Sequence, residues 1–141
     1  MHLTRALKLP LVITFVGLFL SACAPKKPAA MAPPATENQL EMIRASYDKV
    51  DPGSRVGRVI AVLPADQLVA VGELTPNEFH LGDAFTLIDS KQNILTRGKV
   101  VAITKDALHI KYQALPAGQR NPVVGDLAVH VSPTAMYHPA P

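Results

Sequence analysis

The stretch Gly57-Arg58-Val59-Ile60-Ala61-Val62-Leu63 returns later in the chain as Gly98-Lys99-Val100-Val101-Ala102-Ile103-Thr104, at an offset of 41 residues. Each copy is followed by a polar break and a second apolar run: Leu68-Val69-Ala70-Val71 in the first, Leu108-His109-Ile110-Lys111-Tyr112 in the second. Each then reaches a Gly-Asp pair that opens a third run, with Gly82-Asp83 before residues 84–88 and Gly125-Asp126 before residues 127–131, an offset of 43. One three-strand unit is therefore written twice.

The runs are built from Val, Ile, Leu and Ala, and β-branched side chains suit a pleated surface. Leu108, Ile110 and Tyr112 alternate with His109 and Lys111, the period of a strand with one buried face. By the same rule Val59, Ala61 and Leu63 should share one face of the first strand, with Arg58, Ile60 and Val62 on the other. Pro64-Ala65-Asp66 and Lys105-Asp106 are short enough for hairpin connections. Gly82 and Gly125 can take a positive φ, while Asp83 and Asp126 can cap nearby backbone amides.

A parallel α/β sheet is excluded, because the connections lack crossover helices. Only the loop 73–80 has room for another helical turn. The expected fold is mainly β: about six strands closing fully or partly into a small barrel, since closure removes exposed strand edges.

A short helix should precede the barrel over residues 36–50. Thr36-Glu37-Asn38-Gln39 has the form of a capping box, and Leu40, Ile43, Tyr47 and Val50 recur at helical spacing. Asp51-Pro52-Gly53 ends it. Such a helix is marginal alone in water and must dock, either on its own barrel or on another subunit, which would make an oligomer.

The N-terminus carries a different signal. Arg5 and Lys8 precede an apolar run over residues 9–20 and the small residues Ser21 and Ala22, which is the layout of a secretory leader. The run is short for a membrane span of about 20 residues. Leu20-Ser21-Ala22-Cys23 resembles the lipobox of bacterial lipoproteins. That resemblance implies removal of residues 1–22 and a covalent lipid on Cys23, with membrane attachment through the acyl chains. Two or more chains hold a protein stably, at about 0.8 kcal/mol per buried methylene. It also implies a periplasm-facing location, and Ala24 in place of aspartate favours the outer over the inner membrane. Residues 23–35 are rich in Pro and Ala and read as an extended tether. Residues 133–141 read as a Pro-rich flexible tail.

Composition narrows the function. With Arg5 and Lys8 inside the leader, 12 basic residues face 11 acidic ones, and no Trp is present; this is no footprint for nucleic acid. A single cysteine excludes an internal disulfide. No Gly-x-Ser-x-Gly, phosphate loop or His-Glu-x-x-His occurs, so no catalytic residue and no metal or diffusible cofactor is expected. His109 and His130 are read as residues of the polar strand face. Asp83 and Asp126, standing in the same turn of both copies, are read as structural caps rather than an acid–base pair, which needs unlike environments.

The twofold Gly-x-Val-x-x-Val strand, hairpin partner and Gly-Asp turn, at Gly57 to Asp83 and Gly98 to Asp126, resembles the C-terminal domain of the flagellar assembly protein T family. The resemblance implies a cell-envelope interaction module without catalysis. The expected function is a membrane-anchored, non-catalytic interaction or scaffold lipoprotein with an envelope protein partner. The alternatives are a small-ligand binder with a cleft between the two units, or a purely structural lipoprotein.

Overall fold

The computed structural model describes residues 31–132. The leader 1–22, Cys23, most of the tether and the tail 133–141 lie outside the described residues. Helix α1 (Glu37–Val50) is followed by strands β1 (Arg55–Leu63), β2 (Leu68–Gly72), β3 (Ala84–Ile88), β4 (Ile94–Ile103), β5 (Leu108–Tyr112) and β6 (Leu127–His130). Every pairing is antiparallel, and the strands close into a barrel in the order β1-β2-β5-β4-β3-β6. The mainly β, six-stranded barrel expected from the repeat is what the chain forms.

The repeat is visible in the register. Gly57 stands opposite Ala128 as Gly98 stands opposite Phe85, and Val59 opposite Val71 as Val100 opposite Ile110. Only β1·β2 and β4·β5 pair within a unit; the other four pairings join one unit to the other. The Gly-Asp turns make the exchange reciprocal. Gly125 donates its amide to the Val59 carbonyl (2.9 Å) and Val59 donates to Asp126 (2.8 Å), while Gly82 donates to Val100 (2.8 Å) and Val100 to Asp83 (3.0 Å). Each unit thus completes the other's first strand.

One expectation fails in β1. A bulge between Val59 and Ala61 shifts the register, so Val59 is buried, Ile60 and Ala61 are exposed, and Val62 turns inward. The alternation Val59, Ala61, Leu63 therefore does not hold. The same bulge interrupts β4 between Val100 and Ala102. A bulge adds one residue to one strand and sharpens its twist, which a six-stranded barrel needs in order to close.

Val59, Val69, Val71, Phe79, Phe85, Leu87, Val100, Leu108, Ile110 and Tyr112 belong to the interior cluster. A second cluster lies outside the barrel wall, where Leu40 and Ile43 of α1 cover Val56, Ile88, Leu127 and Val129. Strand β6, and β3 at Ile88, are therefore covered on both faces, with the helix supplying the second cover. The helix begins as read: the Thr36 hydroxyl accepts from the Gln39 amide, and the Gln39 side chain accepts from the Thr36 amide. Val50 departs from expectation. It is 84% exposed, because it stands at the last helical position beyond the reach of the wall. The tether also ends sooner than expected, since Ala35 is buried under the helix and Pro34 sits against Gly125.

The wall related by the repeat to the helix-covered one is not apolar in the same way. The positions equivalent to Val56 and Val129 are Arg97 and Thr86, both on the outer wall.

Gly57 and Gly98 mark the tightest approach of neighbouring strands. A Cβ at Gly57 would lie 2.7 Å from the Gly72 carbonyl oxygen, and one at Gly98 would lie 2.7 Å from that of Lys111. Backbone cannot yield there as a side chain could. Gly57→Ala and Gly98→Ala are each expected to lower stability by about 1–3 kcal/mol, the range for overpacking a tight interior. Urea unfolding followed by circular dichroism measures this; equal midpoints for variants and wild type would show that the strands can separate.

Candidate functional site

Gly82 and Gly125 have φ of 92° and 96°. The Asp83 carboxylate accepts from the His80 amide (2.8 Å), and the Asp126 carboxylate accepts from the Val123 amide (2.8 Å). Both aspartates therefore sit three residues after the amide they cap. Asp126 also does something the sequence did not reveal: Arg120 grips it with two nitrogens, at 2.7 and 2.8 Å. The Asp126 side chain is 4% exposed and that of Arg120 is 23% exposed. The hydrogen bonds from Arg120 to Asp126 raise the guanidinium pKa against burial, with the Asp126 and Asp89 charges adding to the effect.

Asp89 organises the β3–β4 connection. Its carboxylate accepts from the amides of Lys91 and Asn93 and from the Asn93 side chain, all at 2.9 Å. Burial pushes its pKa up, but the Asn93 and Lys91 hydrogen bonds and the Arg120 charge together hold it below the ordinary 3.8.

Asp51, read only as part of a helix stop, is a buried tie. It accepts from the Gly53 amide (3.0 Å) and from the Ser132 amide (2.7 Å), joining the end of α1 to the segment after β6.

The histidines part ways. His80 is exposed, and His109 lies half-buried on the outer wall opposite Ala70 and Ala102. His130 corrects the polar-face reading. Its ring packs edge-on against Phe79, with centroids 5.4 Å apart, and tilted against Phe85 at 5.2 Å. Its Nδ1 is 3.0 Å from the Ala84 carbonyl, which can only accept, so the proton sits on Nδ1. The sequence pattern missed this because both faces of β6 are covered. Among the described residues, no cluster of three or more His, Cys, Asp or Glu could hold a metal ion.

A concave feature lies between α1 and the loop that follows β2. It is a groove of about 380 Å³ lined by Arg44, Ala45, Asp48, Ser54, Arg55, Val56, Glu73, Leu74, Thr75 and Glu78. The cleft expected of a ligand binder was placed between the two units; the groove instead lies between the helix and the first unit.

Broken symmetry creates it. In the second unit the Gln113 amide donates to the Arg97 carbonyl, extending the β4–β5 pairing. At the equivalent carbonyl of the first unit, that of Val56, the donor is Arg44 Nε from the helix, at 3.1 Å. The chain has turned away at Glu73, which has a φ of 59°. A left-handed conformation at a residue other than glycine is costly and persists only where its surroundings impose it. Here the Glu73 carboxylate bridges Arg44 (3.2 Å) and Arg58 (3.4 Å), and Arg58 continues to Glu37 at 3.1 Å. Arg55 and Glu78, paired at 2.9 Å, flank the same loop. A single turn of 3₁₀ helix at Pro76–Glu78 and the buried ring of Phe79 return the loop to the barrel. Arg58 Nε is buried without a partner.

Comparison with protein-family models, with curated proteins and with solved structures finds no match for this chain.

Removing the Arg120 guanidinium with Arg120→Ala leaves the Asp126 carboxylate buried and unpaired, and should cost about 3 kcal/mol. Asp83→Ala, which loses one cap at a half-buried site, should cost about 1 kcal/mol. Denaturant midpoints compare the two, and equal losses would mean that the ion pair adds nothing to the turn.

Asp89 has a folded pKa below its unfolded value, so its contribution is complete at pH values above about 4 and is lost as the pH falls through the folded pKa. The stability gap between wild type and Asp89→Asn should therefore be present at pH 7 and smaller at pH 3. Urea titrations at the two pH values measure it.

Proposed function

We propose that this chain is a membrane-anchored envelope lipoprotein, held by acyl chains on Cys23, that works as a non-catalytic interaction module and contacts an envelope protein through the groove between α1 and the loop after β2. The observation that supports this reading is the groove itself. The barrel interior is filled by its own side chains, as a barrel of this size requires, so recognition belongs on the outside. The groove combines an apolar floor, Val56 and Leu74, with fixed charges at its rim, an arrangement that suits a protein segment. Its loop is held in a strained conformation by paired arginines, which presents a preformed surface.

A second reading, a small ligand in the same groove, draws on its volume, which falls within the range of about 300–1,000 Å³ typical of ligand sites. The lipobox resemblance at Leu20-Ser21-Ala22-Cys23 carries the anchoring half of the proposal, and the repeat's resemblance to an envelope module carries the absence of catalysis.

The test runs in intact cells. Crosslinking and pull-down of the wild-type chain should recover a reproducible protein partner from the membrane fraction. Ala45→Trp, which fills the groove from an exposed helix position, should reduce that recovery at least tenfold without shifting the unfolding midpoint. Cys23→Ala should release the chain from the membrane, and mass spectrometry should find acyl chains on Cys23 in the wild type. Undiminished recovery with Ala45→Trp would remove the groove from the proposal, and a bare thiol would remove the anchor.

A further inference from the structure

The described ion pairs all lie away from one wall of this barrel, although Lys49 in the last turn of α1 is also exposed and belongs to none of them. On the helix-covered side, Arg44, Arg55 and Arg58 all stand in ion pairs, as Arg120 does at the second Gly-Asp turn. On the opposite wall, formed by β2, β5 and β4, the exposed residues Arg97, Lys99 and Lys111 belong to no ion pair among the described residues. Lys99 and Lys111 are direct cross-strand partners, and Arg97 lies two residues along β4 on the same outer face.

Like charges placed opposite each other in a sheet are destabilising. Folding gives no reason for the arrangement: the interior residues Gly98, Val100 and Ile110 do the packing, and their outward neighbours are free to vary. The nearest acids in sequence do not neutralise it. Asp106 lies at the β4–β5 hairpin end and is in no ion pair among the described residues, and the Asp89 and Asp83 carboxylates are engaged by the Lys91 and Asn93 amides and by the His80 amide.

Apolar side chains adjoin the cations. Val101, thrown outward by the β4 bulge, is 48% exposed, and Leu81 is 68% exposed. The Gly82 amide bonded to the Val100 carbonyl sets Leu81 beside that bulge. Cations with exposed aliphatic side chains among them are the composition that binds the surface of an anionic bilayer, where the charges meet head groups and the apolar groups enter the boundary.

From these residues we infer that the β2–β5–β4 wall rests on anionic phospholipid head groups, a docking that builds on the proposed acyl anchor. Residues 24–30 are all that separate Cys23 from the first described residue. Fully extended, the eight residue steps from Cys23 to Met31 span at most about 29 Å, so an anchored barrel stays within reach of the head groups, and a weak face is enough to orient it. With that wall on the lipid, α1 and the groove point away from the membrane, toward a partner.

The experiment uses the purified acylated chain in vesicles of neutral phosphatidylcholine or with about one third phosphatidylglycerol. A fluorophore is placed at Gln113→Cys, exposed next to the basic wall, or at Glu41→Cys, exposed on the helix. A quencher is carried on lipid head groups. Quenching should be stronger at position 113 than at 41 in anionic vesicles, and should fall in 0.5 M NaCl. The docked fraction relative to the free should drop about fivefold for each cation neutralised, since each is worth about 1 kcal/mol at such a surface. Lys99→Gln, Lys111→Gln and the triple variant Arg97→Glu/Lys99→Glu/Lys111→Glu test this, with circular dichroism confirming the fold.

Equal quenching at the two positions, or quenching unchanged by these variants, overturns the docking. So does capture of an acidic protein by this wall without dependence on lipid charge. Retention on washed vesicles reads the anchor separately. Loss from neutral vesicles alone overturns the anchor while supporting the basic face, and loss from both overturns both.

Discussion

The structure depends on a reciprocal pair of backbone contacts: the Gly125-Asp126 turn completes β1 at Val59, and the Gly82-Asp83 turn completes β4 at Val100. Each unit supplies the hydrogen bonds that the other's first strand lacks. Four of the six strand pairings cross between units, so neither half can satisfy its own backbone groups. A buried strand without partners is costly, and this ties the whole barrel to a single closure event. The two bulges at equivalent places follow from it, since a small barrel closes only if its long strands bend.

Against that symmetric frame the helix introduces one asymmetry, and the groove is its consequence. Leu40 and Ile43 need an apolar wall, and only Val56, Ile88, Leu127 and Val129 provide one. Docking there brings Arg44 to the Val56 carbonyl, the place that a strand residue occupies in the second unit. The chain after β2 is thereby free to turn outward, and the arginines close around Glu73 to hold it. Buried and half-buried ion pairs rarely add much net stability; their value here is in fixing one loop geometry.

The charge distribution then gives the two sides of the barrel different characters. The helix side is laced with ion pairs and carries the concave surface, whereas the opposite wall keeps unpaired cations beside exposed Val101 and Leu81. A barrel with one basic wall and one grooved wall has a direction.

The sequence alone determined the repeat, the strands and their β class, the capping box at Thr36, and the Gly-Asp turns, because these are local: period-two alternation, short polar breaks and positive-φ glycines need no knowledge of distant residues. It misplaced Ala61 and Leu63, because a bulge is decided by closure and not by the strand's own pattern. It misread His130 and Val50, because which face is covered depends on where α1 docks. The Asp51 tie to Ser132, the left-handed Glu73 and the groove had no local signal at all, since the residues that impose them come from segments far apart in the chain; Arg120 and Asp126 stand six residues apart in one loop, whose path no periodic pattern announces. Only the tertiary structure could bring them together, through the exchange of strand pairings between two copies of one unit.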